Sequence, residues 1–136
     1  MIIEIHPNKK LKDISLTFAR AYPYLKLEFF SKPHKWQEPS AVSQLLHQDL
    51  TVSVVTNNLS KSGFIEIHYW QKTGNIEMKF LQQFNLSVQV YRKNGDNWIQ
   101  TSGTDELTLE EQNEAGMKAS QMFSGFARTA DAEKNI

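Results

Sequence analysis

Two short segments of the chain pair a carboxylate with an imidazole at the same spacing. They are Ile3-Glu4-Ile5-His6 and Ile65-Glu66-Ile67-His68. Side chains alternate between the two faces of a strand, so the isoleucines share one face and the glutamate and histidine share the other. If the two strands are neighbours, four N and O ligands lie together, as Zn²⁺ prefers. The candidate metal ligands are therefore Glu4, His6, Glu66 and His68.

The same alternation is also typical of a sheet whose open face is simply polar. The chain has no metal-binding spacing such as HExxH to support the metal site. The pattern therefore favours a polar sheet face, and the metal site is the alternative. The sequence also lacks a phosphate-binding glycine loop and a nucleophile elbow. We expect no cofactor.

Other candidate contact residues lie on loops and on the open face of the predicted sheet. Trp36 follows His34 and Lys35 in a proline-bounded loop, and it either contacts a ligand or folds back over a sheet edge. Arg92 could hold a small anion near the start of the last helix. Capping by Asp105 and Thr108 explains those residues better. The remaining ligand or interface candidates, all predicted on the open face, are Glu28, Phe30 and Tyr91.

The paired segments begin two similar units, over residues 2–30 and 64–91. In each unit an alternating strand precedes a helical apolar stripe, which is Leu11, Ile14 and Phe18 in the first. A second alternating strand follows the helix. A strand-helix-strand unit is expected to pair its strands in parallel through a right-handed crossover.

These units predict an α+β fold within a single domain, residues 1–136. We expect the duplicated β-α-β units to form one ferredoxin-like sheet with helices on one face, and the alternative is an α+β sheet with another strand order. The predicted core-facing strand residues are Ile3, Ile5, Leu25, Leu27, Ile65, Ile67, Leu86 and Val88.

Two further regions are added to this core. Residues 31–62 are an insertion, in which the β-branched run Leu50–Val55 favours a strand, with a buried helical turn as the alternative. Residues 92–124 contain an Asn94-Gly95 hairpin signal and a helix that begins with a capping box at Thr108 and ends near Gly125. We expect residues 125–136 to be frayed.

The composition limits the classes of partner. The chain has 15 basic and 15 acidic residues, which argues against nucleic-acid binding. There are no cysteines, so disulfides and thiolate metal sites are excluded. No signal-peptide pattern or run of about 20 apolar residues is present, so we expect a cytoplasmic protein without membrane contact.

Two stretches carry a resemblance to known sequences. Residues 85–95, continuing through Trp98 to residues 108–113, resemble small uncharacterised bacterial proteins, and residues 21–30 are similar to them as well. The resemblance covers most of the chain outside 31–62. It implies a stand-alone protein and brings no established activity.

The sequence as a whole favours a small non-enzymatic binding or protein-interaction module that uses the open sheet face. We expect a homodimer through that face, with an unidentified protein or small molecule as a further partner. The alternative is a small metal-dependent enzyme built on His6, His68, Glu4 and Glu66. Weak nucleic-acid binding is a third hypothesis.

Overall fold

The computed structural model describes the backbone of residues 1–134 and the side chains of residues 1–123. This part of the chain confirms the predicted α+β class. In chain order its elements are β1 (Ile2–Ile5), α1 (Leu11–Ala21), β2 (Leu25–Phe30), α2 (Val52–Val55), β3 (Gly63–Glu66), α3 (Thr73–Phe84), β4 (Ser87–Asn94), β5 (Asn97–Gln100) and α4 (Leu109–Lys134). Short 3₁₀ turns lie at Val42–Gln44 and Ser102–Thr104.

The strands form two antiparallel sheets, with orders β1-β3 and β2-β4-β5. The single ferredoxin-like sheet and the parallel pairing within each unit are therefore not found in the described residues. The strands of each unit instead pair with their counterparts in the other unit, β1 with β3 and β2 with β4. β1 and β3 pair along all four of their residues, and β2 pairs with β4 along all six of its own.

The register of both pairings relates the two units symmetrically. Ile3 lies opposite Ile65, and Glu28 lies opposite Gln89. These are the positions that correspond when the two units are aligned. An antiparallel pairing of corresponding residues is what a local twofold relation between two similar units produces. The condition on which the predicted metal site depends, that β1 and β3 are neighbours, is met.

One apolar core joins both sheets to the helices. All eight predicted strand residues are buried, with Ile5, Leu25 and Ile67 fully inaccessible. Helices α1 and α3 contribute their stripes, for example Phe18 and Phe80. Apolar periodicity therefore identified the inner faces correctly, because burial depends on the side-chain alternation and not on strand order.

The insertion covers the outer face of the three-stranded sheet, which the sequence predicted to be open. Ser40 donates to Gln89 at 3.2 Å, and its backbone N–H donates to Gln100 at 2.8 Å. Gln48 donates to Glu28 at 3.0 Å. Gln89 is consequently inaccessible to solvent. The outer face of β1 and β3 keeps the predicted exposure, at Glu4, Phe64 and Glu66, whereas Lys26, Glu28 and Tyr91 are half-buried.

The β-branched run in the insertion contains a single helical turn, so the favoured strand over Leu50–Val55 is wrong and the alternative, a buried helical turn, is found at Val52–Val55. Thr51 caps α2, and its hydroxyl accepts from the Val54 N–H. The next amides bind the loop after β1: Val52 N–H donates to the Lys9 carbonyl and Ser53 N–H to the Pro7 carbonyl, both at 2.9 Å. These tertiary hydrogen bonds outweigh the weak β-propensity of the side chains.

The C-terminal region largely follows the prediction. β4 and β5 form the expected hairpin, with Gly95 at φ +65° in its loop. Thr108 and Glu111 exchange the two 3.1 Å hydrogen bonds of a capping box at the start of α4. The helix continues to Lys134 instead of ending near Gly125. Residues 125–136 were expected to be frayed. Of these, residues 125–134 belong to α4, and residues 135–136 lie outside the described residues.

In the part of the chain that the structure describes, no helix has both the length and the apolar character needed to cross a membrane.

Candidate functional site

Three titratable side chains from distant parts of the chain meet beside the start of α3. His34 comes from the loop after β2, Glu77 from α3, and Asp105 from the segment before α4. Each residue contributes one atom that could bind a metal ion, and these three atoms lie within 4.8 Å of one another. His34 Nε2 lies 3.4 Å from Glu77 Oε1. We call these three residues the His–Glu–Asp cluster.

Each member of the cluster is held in place by a backbone group. His34 Nδ1 lies 2.8 Å from the Lys35 carbonyl, which can only accept, so Nδ1 carries a proton. The Val90 N–H donates to Glu77 Oε2 at 2.8 Å. The Gln37 N–H donates to Asp105 Oδ2, also at 2.8 Å. The three side chains are therefore fixed through one polar atom each.

The loop that carries His34 is packed tightly onto α3. The Trp36 ring covers Gly74, where an added Cβ would lie 2.1 Å from Trp36 Cζ3. Gln37 adopts a left-handed φ of +61°, which is uncommon for a residue other than glycine. Its hydrogen bond to Asp105 stabilises that conformation. We call residues 33–37 the 33–37 loop.

The cluster is almost completely removed from water. Glu77 is 5% exposed and Asp105 is inaccessible. Glu77 Oε1 and Asp105 Oδ1 are buried without a hydrogen-bond partner. The His34–Glu77 contact is close enough for an ion pair but does not have the geometry of a hydrogen bond. An unsatisfied buried acceptor costs about 1–3 kcal/mol, so this cluster reduces the stability of the fold unless something binds it.

Burial and mutual contact shift the pKa values of all three groups upward. The polar contact with Glu77 raises the pKa of His34 to about 9. Burial raises the pKa of Glu77 to about 7, against the opposing effect of His34. Burial also raises the pKa of Asp105. Such perturbed groups are concentrated at functional sites, although structural clusters show them too.

A cavity of about 310 Å³ lies between the 33–37 loop and α3. We call it the loop cavity. Its apolar wall is formed mainly by Pro33, Trp36, Met78, Leu81 and Val88. The titratable side chains that line the cavity are those of His34, Lys35 and Glu77. The His–Glu–Asp cluster thus adjoins a largely apolar pocket.

The four predicted metal ligands remain at the surface around β1 and β3. Glu66 and His68 contact each other at 3.3 Å, and His68 stacks on Trp70 at 5.2 Å. Glu4 lies opposite Phe64 in the pairing. Among the side chains of residues 1–123, three or more such ligands come together in the His–Glu–Asp cluster, and Glu4, His6, Glu66 and His68 form no group of that kind.

The candidates predicted on the second strands are occupied within the fold. Phe30 is 3% exposed, so it is not available as an interface residue. Glu28 contacts Lys26 at 3.4 Å and Gln48 at 3.0 Å. The Tyr91 hydroxyl accepts a hydrogen bond from Gln100 at 3.1 Å. The insertion contacts Phe30 through Leu45 and Glu28 through Gln48, whereas the partner of Tyr91 belongs to β5.

The loop and helix-start candidates have different outcomes. Trp36 lines the loop cavity and is 38% exposed, so it both folds back on α3 and remains accessible. Arg92, on β4, donates a hydrogen bond at 3.0 Å to the side-chain oxygen of Gln112, on α4. Asp105 accepts from Gln37 instead of capping α4, whereas the Thr108 cap is confirmed.

Sequence reasoning missed Glu77 and Asp105 as site residues. Glu77 lies between Ile76 and Phe80 on the buried side of α3, and a carboxylate in an apolar stripe is a detectable signal. Asp105 gave no comparable signal, because its surroundings are formed by residues far away in the chain. Comparisons with protein-family models, curated proteins and solved structures found no match to this chain.

Proposed function

We propose that this chain is a binding protein for a small, mainly apolar molecule that occupies the loop cavity. The observation that carries the proposal is the combination of an apolar wall with the perturbed His34–Glu77 pair beside it. Ligand pockets characteristically have this composition and begin at volumes of roughly 300 Å³. The proposal concerns binding and includes no reaction.

The wall of the loop cavity supports an apolar ligand body. Met78 and Trp36 remain 45% and 38% exposed, although both are large apolar side chains. A ligand that covers them gains roughly 25 cal/mol for each Å² of apolar surface removed from water. Trp36 also offers a ring face for stacking. An aromatic molecule of about two fused rings fits these features.

The polar side of the cavity supports one polar group on the ligand. His34 and Glu77 are held by backbone hydrogen bonds, so their orientation is set before a ligand arrives. Groups fixed in advance reduce the entropy that binding costs. A hydroxyl or carboxylate on the ligand would contact His34 through Nε2, because Nδ1 is occupied by the Lys35 carbonyl.

Two simple probes test the proposal, 1-naphthol and 1-naphthoic acid. We expect both to bind with a Kd below about 1 mM. The amide signals that shift in ¹H–¹⁵N NMR spectra should be those of Gly74, Met78 and Val88. Shifts confined to β1 and β3, or no saturable shifts, would contradict a ligand site in the loop cavity.

A matched pair of variants distinguishes binding in the loop cavity from nonspecific binding to exposed apolar surface. Met78→Trp fills the wall of the cavity and should weaken binding at least about fivefold, because the added ring occupies the site. Leu16→Trp makes a comparable change on α1, where Leu16 is 52% exposed and lines no part of the cavity. It should leave the affinity unchanged. Equal effects of the two variants would count against the proposal.

A homodimer through the outer face of β1 and β3 is a second candidate function. Ile2 is 62% exposed and Phe64 is 66% exposed on this face. Ile2 lies opposite Glu66, and Phe64 lies opposite Glu4. Exposed apolar side chains on a sheet often mark a partner surface. The local symmetry of the register makes a second copy of the chain a suitable partner.

Sedimentation equilibrium tests the homodimer directly. The wild-type protein should show reversible dimerisation at high micromolar concentration, and Phe64→Lys should shift it towards the monomer. Leu59→Lys, at a position that is 70% exposed outside the strands, is the control. A monomeric wild-type protein at about 500 µM would remove this candidate, since a specific dimer of standard size is far tighter than 1 mM.

A further inference from the structure

We propose that the His–Glu–Asp cluster is a binding site for a divalent transition-metal ion, with Zn²⁺ as the preferred ion. His34 would bind through Nε2, Glu77 through Oε1 and Asp105 through Oδ1. This inference goes beyond the proposed binding of a small molecule and does not depend on it. It differs from the metal site predicted on β1 and β3, because none of its residues lies on those strands.

The hydrogen bonds of the cluster leave one atom of each residue free. His34 Nδ1, Glu77 Oε2 and Asp105 Oδ2 each bind a backbone group. Metal-binding histidines and carboxylates are typically oriented by such outer partners, and a histidine usually donates its second ring N–H to a carbonyl. The remaining atoms are the nitrogen and two oxygens that the proposal uses.

An independent observation comes from the two carboxylates. Glu77 Oε1 and Asp105 Oδ1 are buried and have no hydrogen-bond partner, in residues that are 5% and 0% exposed. Buried acceptors without donors are rare in folded proteins, and a bound ion is one of the recognised explanations. A cation between them would satisfy both oxygens together.

The distances fit a small ion. Zn²⁺ binds nitrogen and oxygen at about 2.0–2.2 Å, so two ligands of a tetrahedral site lie roughly 3.3 Å apart. His34 Nε2 and Glu77 Oε1 lie 3.4 Å apart. The complete set lies within 4.8 Å, so an Asp105 oxygen would have to move by up to about 1.5 Å to complete the site.

The donor set selects among ions. One nitrogen and two carboxylate oxygens suit Zn²⁺ and, less strongly, Mn²⁺. Ca²⁺ requires six to eight oxygen ligands, and this buried cluster supplies too few. Three protein ligands leave a fourth position, as in zinc sites that also bind a small molecule or water. Because His34 and Glu77 line the loop cavity, that position would be reached from there.

Calorimetric titration of ZnCl₂ into tag-free full-length protein tests the inference, after treatment with a chelator and its removal. We expect one ion per chain with a Kd of about 10 µM or tighter. CaCl₂ should produce no saturable heat. The isosteric variants Glu77→Gln and Asp105→Asn should each weaken Zn²⁺ binding at least about tenfold, because each replaces a charged ligand.

A matched control uses the exposed Glu66–His68 pair, which could bind Zn²⁺ adventitiously. The double variant Glu66→Gln with His68→Gln should retain the full affinity. If it abolishes binding while Glu77→Gln does not, or if the wild-type protein shows no saturable heat, the inference is overturned.

A second measurement on the wild-type protein covers the case in which a cluster variant fails to fold. In ¹⁵N-histidine-labelled protein, one equivalent of Zn²⁺ should move the Nε2 signal of His34 and leave that of His47 in place. Movement of His68 alone would overturn the inference. Failure of the naphthol and naphthoate probes alongside a positive zinc result would remove only the proposed small-molecule function.

Discussion

At the scale of single residues, the defining feature is a set of charged groups placed where charge is costly. Glu77 is a buried carboxylate on the apolar side of α3, and His34 reaches it from a loop. The contact with His34 does not fully offset the cost of burying the Glu77 charge, because Glu77 Oε1 receives no hydrogen bond. Charged groups placed in this way reduce the stability of the fold, and they are common at functional sites as well as in structural clusters.

Replacement of Glu77 by glutamine should change the protonation of His34. Contact with Glu77 is the largest cause that raises the pKa of His34 to about 9. In metal-free Glu77→Gln protein, the pKa of His34 should fall by at least about one unit, because the neutral amide no longer favours the imidazolium. NMR titration of the ring Hε1 signals measures it. The His47 curve is the internal control, and an unchanged His34 curve would refute the assignment.

The metal-free protein should lose stability as the pH rises. Folding raises the pKa of Glu77 to about 7 and that of His34 to about 9, so the folded state binds more protons than the unfolded state. Their contribution is fully present below the unfolded values of 4.5 and 6.5, and it disappears as the pH passes 7 and then 9. Asp105 acts in the same direction.

Urea unfolding in the presence of a chelator at pH 5.5, 7 and 9 measures this loss. The wild-type midpoint should fall steadily over that range. The double variant His34→Gln with Glu77→Gln should show a flatter dependence, because it lacks two of the groups concerned. A wild-type protein that becomes more stable towards pH 9 would contradict the pKa directions.

At the scale of elements, the position of the 33–37 loop depends on close packing against the first turn of α3. The Trp36 ring occupies the space that a side chain at Gly74 would need. The N–H of Gly74 also donates to the Asp105 carbonyl at 3.0 Å. One glycine therefore aligns the loop, the helix and the segment before α4, and these three carry the cluster.

Gly74→Ala should displace Trp36 and loosen the site. The added Cβ would approach Trp36 Cζ3 to 2.1 Å, so the ring has to move. We expect a loss of about 1–3 kcal/mol in the free energy of unfolding. A red shift in Trp36 fluorescence, measured with Trp70 and Trp98 replaced by phenylalanine, should accompany it.

Gly103→Ala is the matched control for that experiment. A Cβ at Gly103 meets nothing within 4 Å, and the residue is exposed. Its effect should be within about 0.5 kcal/mol of zero. Similar losses for both variants would show that the Trp36–Gly74 contact does not hold the loop.

At the scale of the whole molecule, two small sheets and the helices share one core. β1 and β3 have only four residues each, and a two-stranded sheet of that length is not stable alone. Its stability comes from the inner residues Ile3, Ile5, Ile65 and Ile67, which all belong to the core cluster. The outer residues of the same strands contribute little.

Adjacent isoleucines on β1 test this division. Ile3→Ala should cost about 2–5 kcal/mol, because it leaves a cavity opposite Ile65. Ile2→Ala, at a position 62% exposed, should cost less than about 1 kcal/mol. Urea unfolding of the monomeric protein measures both. Equal losses would mean that the β1–β3 sheet is not part of the common core.

The agreement between sequence and structure depends on how local each signal is. Alternation in β1 and β3, the stripe of α1 and the capping box at Thr108 each involve a few neighbouring residues, and all were predicted correctly. The turn at Val52–Val55 was only the second choice from sequence, since hydrogen bonds to Pro7 and Lys9 decide between it and a strand. Local patterns carry no information about such distant partners.

The sequence by itself determined the α+β class, most of the elements and the inner face of each strand. Side-chain alternation and helical periodicity are properties of neighbouring residues, and burial follows from them. Only the tertiary structure decided that corresponding strands pair in two sheets and that the insertion covers one of them. It alone also brought His34, Glu77 and Asp105 together, because their separation in the chain leaves no periodic signal. The residues that the repeat made conspicuous, Glu66 and His68, lie at the surface.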